Sequence, residues 1–487
     1  MCPIHTIPAE LMCEVLQLAI DTSGDSKFDS EGLRGLRAAL VLSQVCAQWR
    51  RLALTTPQLW TLQDFPIEIV KPKESVDARK ISMDATKACL DRSGSLPISV
   101  QLGDLSQDAA APFLKELIRH SHQWRTLSLS TESISALIEI PPGGLNRLES
   151  VDLSLPREST PDPLHSQLTT FLGAPRLRSV SLTSQHLPFL PMPWPQLTHL
   201  TLNGYYPPQP CLDALVLCPQ LVVAEVEMTG WLQGLPPASD IGTVTLPCLE
   251  KLRLDVDINT EGEHITPLLR RLNLPALKTL ILHLDDDAKD FRWSAEDFTQ
   301  FQLRSHIERI ELISCSPASA DLQSLLLHAV DLKHLELLDC PNCINDSLFL
   351  GLLYDASDSV HVAPKLETLV VGSTDSNFDE DTLECMILSR WWTDDQLHTM
   401  PGPPAVARWK RLALGMEDQD YSSDFIDSMK RLRERGLNLQ GYFPERVESD
   451  EGDEEGSDGE GSDEEGSDEK GSDEEGSDDE GSVSLSS

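Results

Sequence analysis

One pattern dominates residues 120–415, an aliphatic residue returning at the spacing Leu-x-x-Leu-x-Leu. Copies stand at Leu148/Val151/Leu153, Leu177/Val180/Leu182, Leu197/Leu200/Leu202, Leu221/Ala224/Val226, Leu249/Leu252/Leu254 and Leu277/Leu280/Leu282. They continue at Ile307/Ile310/Leu312, Leu332/Leu335/Leu337 and Leu366/Leu369/Val371, with Trp124/Leu127/Leu129 and Trp409/Leu412/Leu414 as degenerate first and last copies. The alternating residues of each copy predict a short strand with one buried face, and the stretch between copies must return the chain to the start of the next strand. An α/β fold of parallel strands and return segments follows.

Pro175, Pro195, Pro219, Pro247, Pro275 and Pro364 each lie two residues before the first leucine of a copy. A proline stops the preceding segment and biases its predecessor toward extended geometry, so the same punctuation opens six strands. Return helices are expected at Pro112–His120, Ile265–Leu272, Ala320–Val330, Asp346–Tyr354, Glu380–Arg390 and Phe425–Arg435, with Asp346 as a helix N-cap. The spacing resembles that of leucine-rich repeats, widening toward the C-terminus, and implies an irregular solenoid over residues 121–444.

The N-terminal 62 residues read differently. Ile7-Pro8-Ala9-Glu10-Leu11 suits a helix start, with Pro8 in the first turn and Glu10 facing the positive end of the dipole. Leu11, Val15, Leu18 and Ala19 fall on one face, and Met12 and Leu16 widen the stripe. Farther on, Leu42, Val45, Cys46 and Trp49 recur at helical spacing, opposite Gln44, Gln48, Arg50 and Arg51. Two such short helices cannot bury this much apolar surface alone, so they either cap the larger domain or meet a partner. In order, Ile-Pro-x-Glu-Leu, Val45-Cys46 with Trp49-Arg50, and Pro57-Gln-Leu-Trp60 resemble the F-box of fungal proteins, interrupted by a polar insertion at residues 20–34. Leu90-Asp-Arg-Ser-Gly-Ser-Leu-Pro-Ile-Ser-Val100 resembles the linker and strand that follow it in basidiomycete members, within a stretch at 63–120 expected to hold a linker and the first helical or strand segment. The resemblance implies that Ile7, Pro8, Leu11, Val15, Leu42, Val45, Cys46, Trp49 and Leu52 bind a Skp-type adaptor. Leu335-Glu-Leu-Leu-Asp-Cys-Pro-Asn-Cys-Ile-Asn-Asp-Ser-Leu348 resembles the cysteine-containing repeat of F-box proteins, with Cys340 turned inward and Cys315 at the same offset.

Charge narrows the partners. Formal net charge is −40, and from Glu448 onward 19 acidic residues stand against the single Lys470. The remaining body carries 60 acidic against 38 basic residues. Phosphate recognition needs clustered lysine and arginine, so nucleic acid is not an expected partner. No run of about 18 apolar residues predicts a membrane span, and the N-terminus does not read as a secretory leader. Eleven cysteines scattered through leucine-rich surroundings point to a reducing compartment, cytoplasm or nucleus. Cys340 and Cys343 form a lone Cys-x-x-Cys without the second pair a zinc finger needs, so no metal site is expected. Phosphate loops, zinc-protease helices and nucleophile elbows are absent from the sequence, the histidines are dispersed, and neither catalysis nor a cofactor is expected.

In a solenoid the residues between and just after the strand leucines face the concave side. Here they include Asp152, Ser181, Thr201, Asn203, Glu225, Glu227, Arg253, Asp255, His283, Glu311 and Glu336, in which carboxylates outnumber cations. That set, chiefly Glu225, Glu227, Arg253, Asp255, His283, Glu311 and Glu336, is the candidate surface for a basic or amide-rich protein segment. Tyr205-Tyr206, expected after a strand, and Trp391-Trp392, expected at a helix end, suit interface anchoring or packing equally.

Residues 445–487 repeat Glu/Asp-Glu-Gly-Ser-Asp and cannot bury enough surface to fold. Ser457, Ser462, Ser472 and Ser477 have acidic residues at +1 and +3, resembling sites of an acidophilic casein-type kinase. The resemblances imply a non-catalytic subunit of a Skp–cullin–F-box ubiquitin ligase whose repeats hold an unidentified protein substrate. The alternative is a scaffold, or an acidic chaperone for basic nuclear proteins.

Overall fold

The computed structural model describes residues 8, 11–15, 18, 39–61, 65–67, 76–105, 107–131, 135–154, 168–183, 190–230, 243–257, 265–284, 295–315, 317–340, 342–372, 378–400, 402–415 and 421–441. The chain divides into Met1–Tyr442 and Phe443–Ser487. Ile7, the insertion at 20–34 and the acidic repeat with its four serines lie outside the described residues.

Among the described residues fourteen parallel strands form one sheet and lie in it in the order of the chain. They are β1 (Phe65–Ile67), β2 (Ile98–Leu105), β3 (Trp124–Thr131), β4 (Ser150–Ser154), β5 (Ser179–Thr183), β6 (His199–Tyr206), β7 (Val223–Thr229), β9 (Lys251–Asp257) and β11 (Thr279–Leu284), then β12 (Arg309–Ile313), β13 (His334–Leu338), β14 (Thr368–Gly372), β15 (Arg411–Gly415) and β16 (Leu439–Gly441). A short separate pair joins β8 (Val244–Thr245) to β10 (Leu272–Asn273). The α/β class and the parallel pairing are as the repeat spacing predicts. Along β4, β5, β7, β9 and β12–β14 buried residues alternate with half-buried ones, or in β4 with the exposed Asp152, and Val151, Val180, Leu252, Leu335 and Leu369 are inaccessible or nearly so.

The prolines act through a specific turn. The N–H of Leu177 donates to Ala174 O, and Leu197, Leu221, Leu249, Leu277 and Leu366 donate likewise to the carbonyl three residues earlier. Each proline therefore occupies the second position of a β-turn, where its fixed φ is already suited to the bend. Leu148 and Leu332 close the same turn without proline.

Of the helices, α1 is Ala47–Thr55, α2 Val76–Ser93, α3 Gln107–Ile118, α4 Pro208–Val216, α5 Thr266–Arg271, α6 Ala295–Gln302, α7 Ser319–His328, α8 Asp346–Leu352, α9 Glu380–Ser389, α10 Asp394–Thr399 and α11 Ser423–Glu434. Six match the expected return helices to within a few residues at either end. The 18-residue α2 lies in the segment expected to hold a linker and the first helix or strand, and Gly94, at φ +63, ends its hydrogen-bonded course. Pro208 and Pro210 lie in the first turn of α4, whose N–H groups have no intrahelical acceptor, so both prolines are tolerated there. Asp346 is the first helical residue rather than the N-cap, which is Asn345, and its carboxylate accepts the N–H of Asp379 at 2.7 Å.

Candidate functional site

Two surfaces carry the side chains singled out by the sequence. The first lies on the N-terminal helical segment. Met12, Ala39, Ala53, Leu59, Trp60 and Cys89 form a small buried core, against which Leu42, Trp49 and Leu52 pack half-buried. Trp60 Nε1 donates to Ala53 O at 2.7 Å, and the Arg92 guanidinium lies 4.5 Å above its ring, tying this core to α2. Residues 11–15 and 39–45 are helical, and the N–H of Met12 donates to Pro8 O.

The expected single stripe of Leu42, Val45, Cys46 and Trp49 does not exist as one helix face. The backbone is extended at Cys46, whose thiol instead caps α1 by accepting the Trp49 N–H at 3.4 Å. The apolar residues of the segment divide two ways. Leu42, Trp49 and Leu52 turn inward, while Leu11 (52% exposed), Val15, Leu18, Leu40, Val41, Val45 (57%) and Leu54 remain open to solvent. Of the nine residues assigned to adaptor binding, Leu11, Val15 and Val45 are exposed apolar groups, Pro8 is exposed, and Ile7 lies outside the described residues.

The second surface is the open face of the sheet. Parallel register aligns Thr201, Glu225, Arg253, Ile281, Glu311 and Glu336 across β6, β7, β9 and β11–β13, with Glu227, Asp255 and His283 in the adjoining row. The sequence reading missed the cations one position before the strand leucines. Lys251 Nζ contacts Glu225 Oε1 at 2.7 Å, and Arg309 bonds both Glu311 and Glu336, the latter at 3.3 Å. Arg253 grips Asp255 with two nitrogens at 2.8 and 2.9 Å, and His283 Nδ1 lies 2.9 Å from the same carboxylate. His334 Nε2 lies 3.1 Å from Glu336, and burial, reinforced by Arg309, lowers its pKa despite that carboxylate. These carboxylates are thus braced within a network rather than simply solvated.

At one end of this face β6 bulges. Its register against β7 shifts between Leu202 and Tyr206, the Gly204 N–H donates to Glu227 Oε2 at 2.8 Å, and Tyr205 takes φ 49. Tyr205 and Tyr206 therefore belong to the strand rather than following it, the first exposed and the second buried. Trp391 and Trp392 are half-buried packing groups, Trp391 beneath the Arg408 guanidinium at 5.2 Å and Trp392 edge-on to Tyr354 at 5.8 Å.

Cys315 and Cys340 point inward, each donating its thiol to carbonyls of its own and the preceding strand, and Cys343 bonds to Cys340 O. Burial pushes the Cys315 thiol well up, so thiolate chemistry there is suppressed. Among the described residues no group of three or more His, Cys, Asp or Glu could hold a metal ion, and no helix is long and apolar enough to cross a membrane.

No family model matches the chain, and no curated protein matches it. Among solved structures it is similar to the complex of Rad7 and Elc1 in yeast, at 15% identity over 84% of this chain and 92% of that one, with a TM-score of 0.39. It is also similar to the Toll–Spatzle complex of Drosophila, at 15% identity over 70% of this chain and 47% of that one, with a TM-score of 0.29. At those values the two likenesses assign neither a fold nor a role to this chain.

Proposed function

We propose that the chain is a non-catalytic substrate-recognition adaptor of a Skp–cullin–F-box ubiquitin ligase in the cytoplasm or nucleus. In this reading an F-box at the N-terminus docks on the Skp-type adaptor, and a leucine-rich-repeat solenoid holds a protein substrate on its open face. The supporting observation is the division of apolar side chains at the N-terminus. A core too small for its segment leaves Leu11, Val15, Leu18, Leu40, Val41, Val45 and Leu54 exposed, as a partner-covered module requires. Ligase function would then come from proximity, with the bond-making supplied by the partners.

Co-expression of the full chain with a Skp-type adaptor tests the reading. The double variant Leu11→Glu/Val45→Glu should fold, because both side chains are solvent-exposed, and should lose adaptor capture. Capture at the wild-type level by that variant, or no capture by the wild-type chain, would overturn the assignment.

A further inference from the structure

The open face changes character along the sheet. Over β3–β6 its central row is Ser128, Asp152, Ser181 and Thr201, short side chains with one charge. From β7 to β13 long charged groups replace them. There the face presents three cations, Lys251, Arg253 and Arg309, against six carboxylates, Glu225, Glu227, Asp255, Asp257, Glu311 and Glu336.

All three cations are already committed to carboxylates of the same face. Glu311 and Glu336 share the single guanidinium of Arg309, so a cationic partner meets surplus carboxylate there, whereas an anionic one meets none of the charge it needs. These carboxylates are also partly withdrawn from water, with Glu311 13% and Glu336 20% exposed at the side chain, so their field is screened less than that of a free surface group.

The floor beside them is apolar. Ile281 stands between Arg253 and Glu311 in the strand register and is buried. Ile313 and Leu338 continue the adjoining row after His283, both half-buried. Carboxylates rising from an aliphatic floor match arginine closely, since its stem is apolar and its planar head is weakly hydrated and binds carboxylate in a fork.

We propose that the open face over β12–β13 binds an extended partner segment through its arginine side chains, stems on Ile313 and Leu338 and heads on Glu311 and Glu336. The inference rests on reading the open face as the substrate surface and names the chemistry of that substrate.

The test uses the purified full chain and a labelled twelve-residue Gly/Ser peptide with three arginines, beside versions carrying citrulline or lysine instead. The arginine peptide should bind, the lysine peptide more weakly, and the neutral citrulline peptide not at all. Glu311→Gln/Glu336→Gln and, separately, Leu338→Asn should each weaken the arginine peptide about tenfold. Thermal unfolding of each variant establishes that it is folded, and the two reach the same surface by different chemistry. Undiminished affinity in both variants would locate the binding elsewhere on this acidic chain and overturn the proposal, as would equal binding of citrulline or no binding of arginine. Capture of a Skp-type adaptor is read on the same samples. Its retention when peptide binding fails rejects only the arginine site, and its loss when peptide binding persists rejects only the ligase reading.

Discussion

Lys278 Nζ lies 3.0 Å from Glu250 Oε1, joining the chain just before β11 to the chain just before β9. The pair belongs to a continuous backbone ladder in which Lys278 N donates to Glu250 O and Glu308 N donates to Lys278 O. Along the same rim Arg125 pairs with Glu149, Lys333 with Glu308 and Lys410 with Glu367. Charge sign alternates from each copy to the next over much of the array, so skipping one copy would set like charges side by side.

Lys278→Glu should therefore destabilise the fold by about 1 kcal/mol, whereas Lys278→Ala should cost a few tenths, because the pair is about half exposed. Urea unfolding checks both values. The difference should shrink at about 1 M salt, and a salt-independent loss would mean packing rather than charge decides the effect.

Arg390 should prove the most damaging cation to remove. It is 1% exposed, and its Nε and two terminal nitrogens donate to Leu352 O, Ala363 O and Val362 O. Burial pushes its pKa down to about 10. Arg390→Ala removes three hydrogen bonds at once, with Ala363 O alone keeping a second donor in the Leu366 N–H, and should cost about 3 kcal/mol or more. Arg390→Lys should recover only part of that, since one ammonium cannot reproduce the fork. A shift of less than a few degrees in the unfolding midpoint of Arg390→Ala would contradict this account.

His334 should make stability fall under mild acid. Its folded pKa is lowered below 6.5, first by burial and then by Arg309, while Glu336 and Glu311 oppose the shift. The folded state then binds a proton less readily than the unfolded chain. Its contribution is complete above about pH 6.5 and is lost as pH drops from there toward the folded value. His334→Gln should flatten that part of the stability profile, and an unchanged slope between about pH 7 and 5 would count against it.

Trp49→Ala should act on folding, and on the proposed adaptor docking only through it. The ring packs on the core around Met12, Ala53 and Trp60 rather than standing among the exposed apolar groups. A loss of about 1 to 3 kcal/mol is expected, with adaptor capture recovered on cooling in proportion to the folded fraction. Full folding with no capture would return Trp49 to the interface.

Much of the fold is visible in the chain because its cause is local. Leu252/Leu254 and Leu335/Leu337 specify strands and their buried side by alternation alone, whereas the inward turn of Cys315 and Cys340 is what the resemblance of their repeat implies. The turn prolines are equally local, and even their missed role as second turn residue changes no strand. The helix α4 escaped notice because Pro208 and Pro210 break helices only beyond the first turn, and the start of a helix depends on the strand it follows.

What the sequence by itself determined is the parallel strand array, the identity of its buried residues and an N-terminal segment with more apolar surface than it can bury. Tertiary structure alone decided where that surplus goes, through the break at Cys46 that turns Trp49 inward and leaves Val45 outside. It alone also decided which charges meet. Lys251 reaches Glu225 across 26 residues, and Arg309 reaches Glu336 across 27. Alternation is a property of neighbouring residues, whereas an ion pair between strands depends on the register of a partner one whole repeat away.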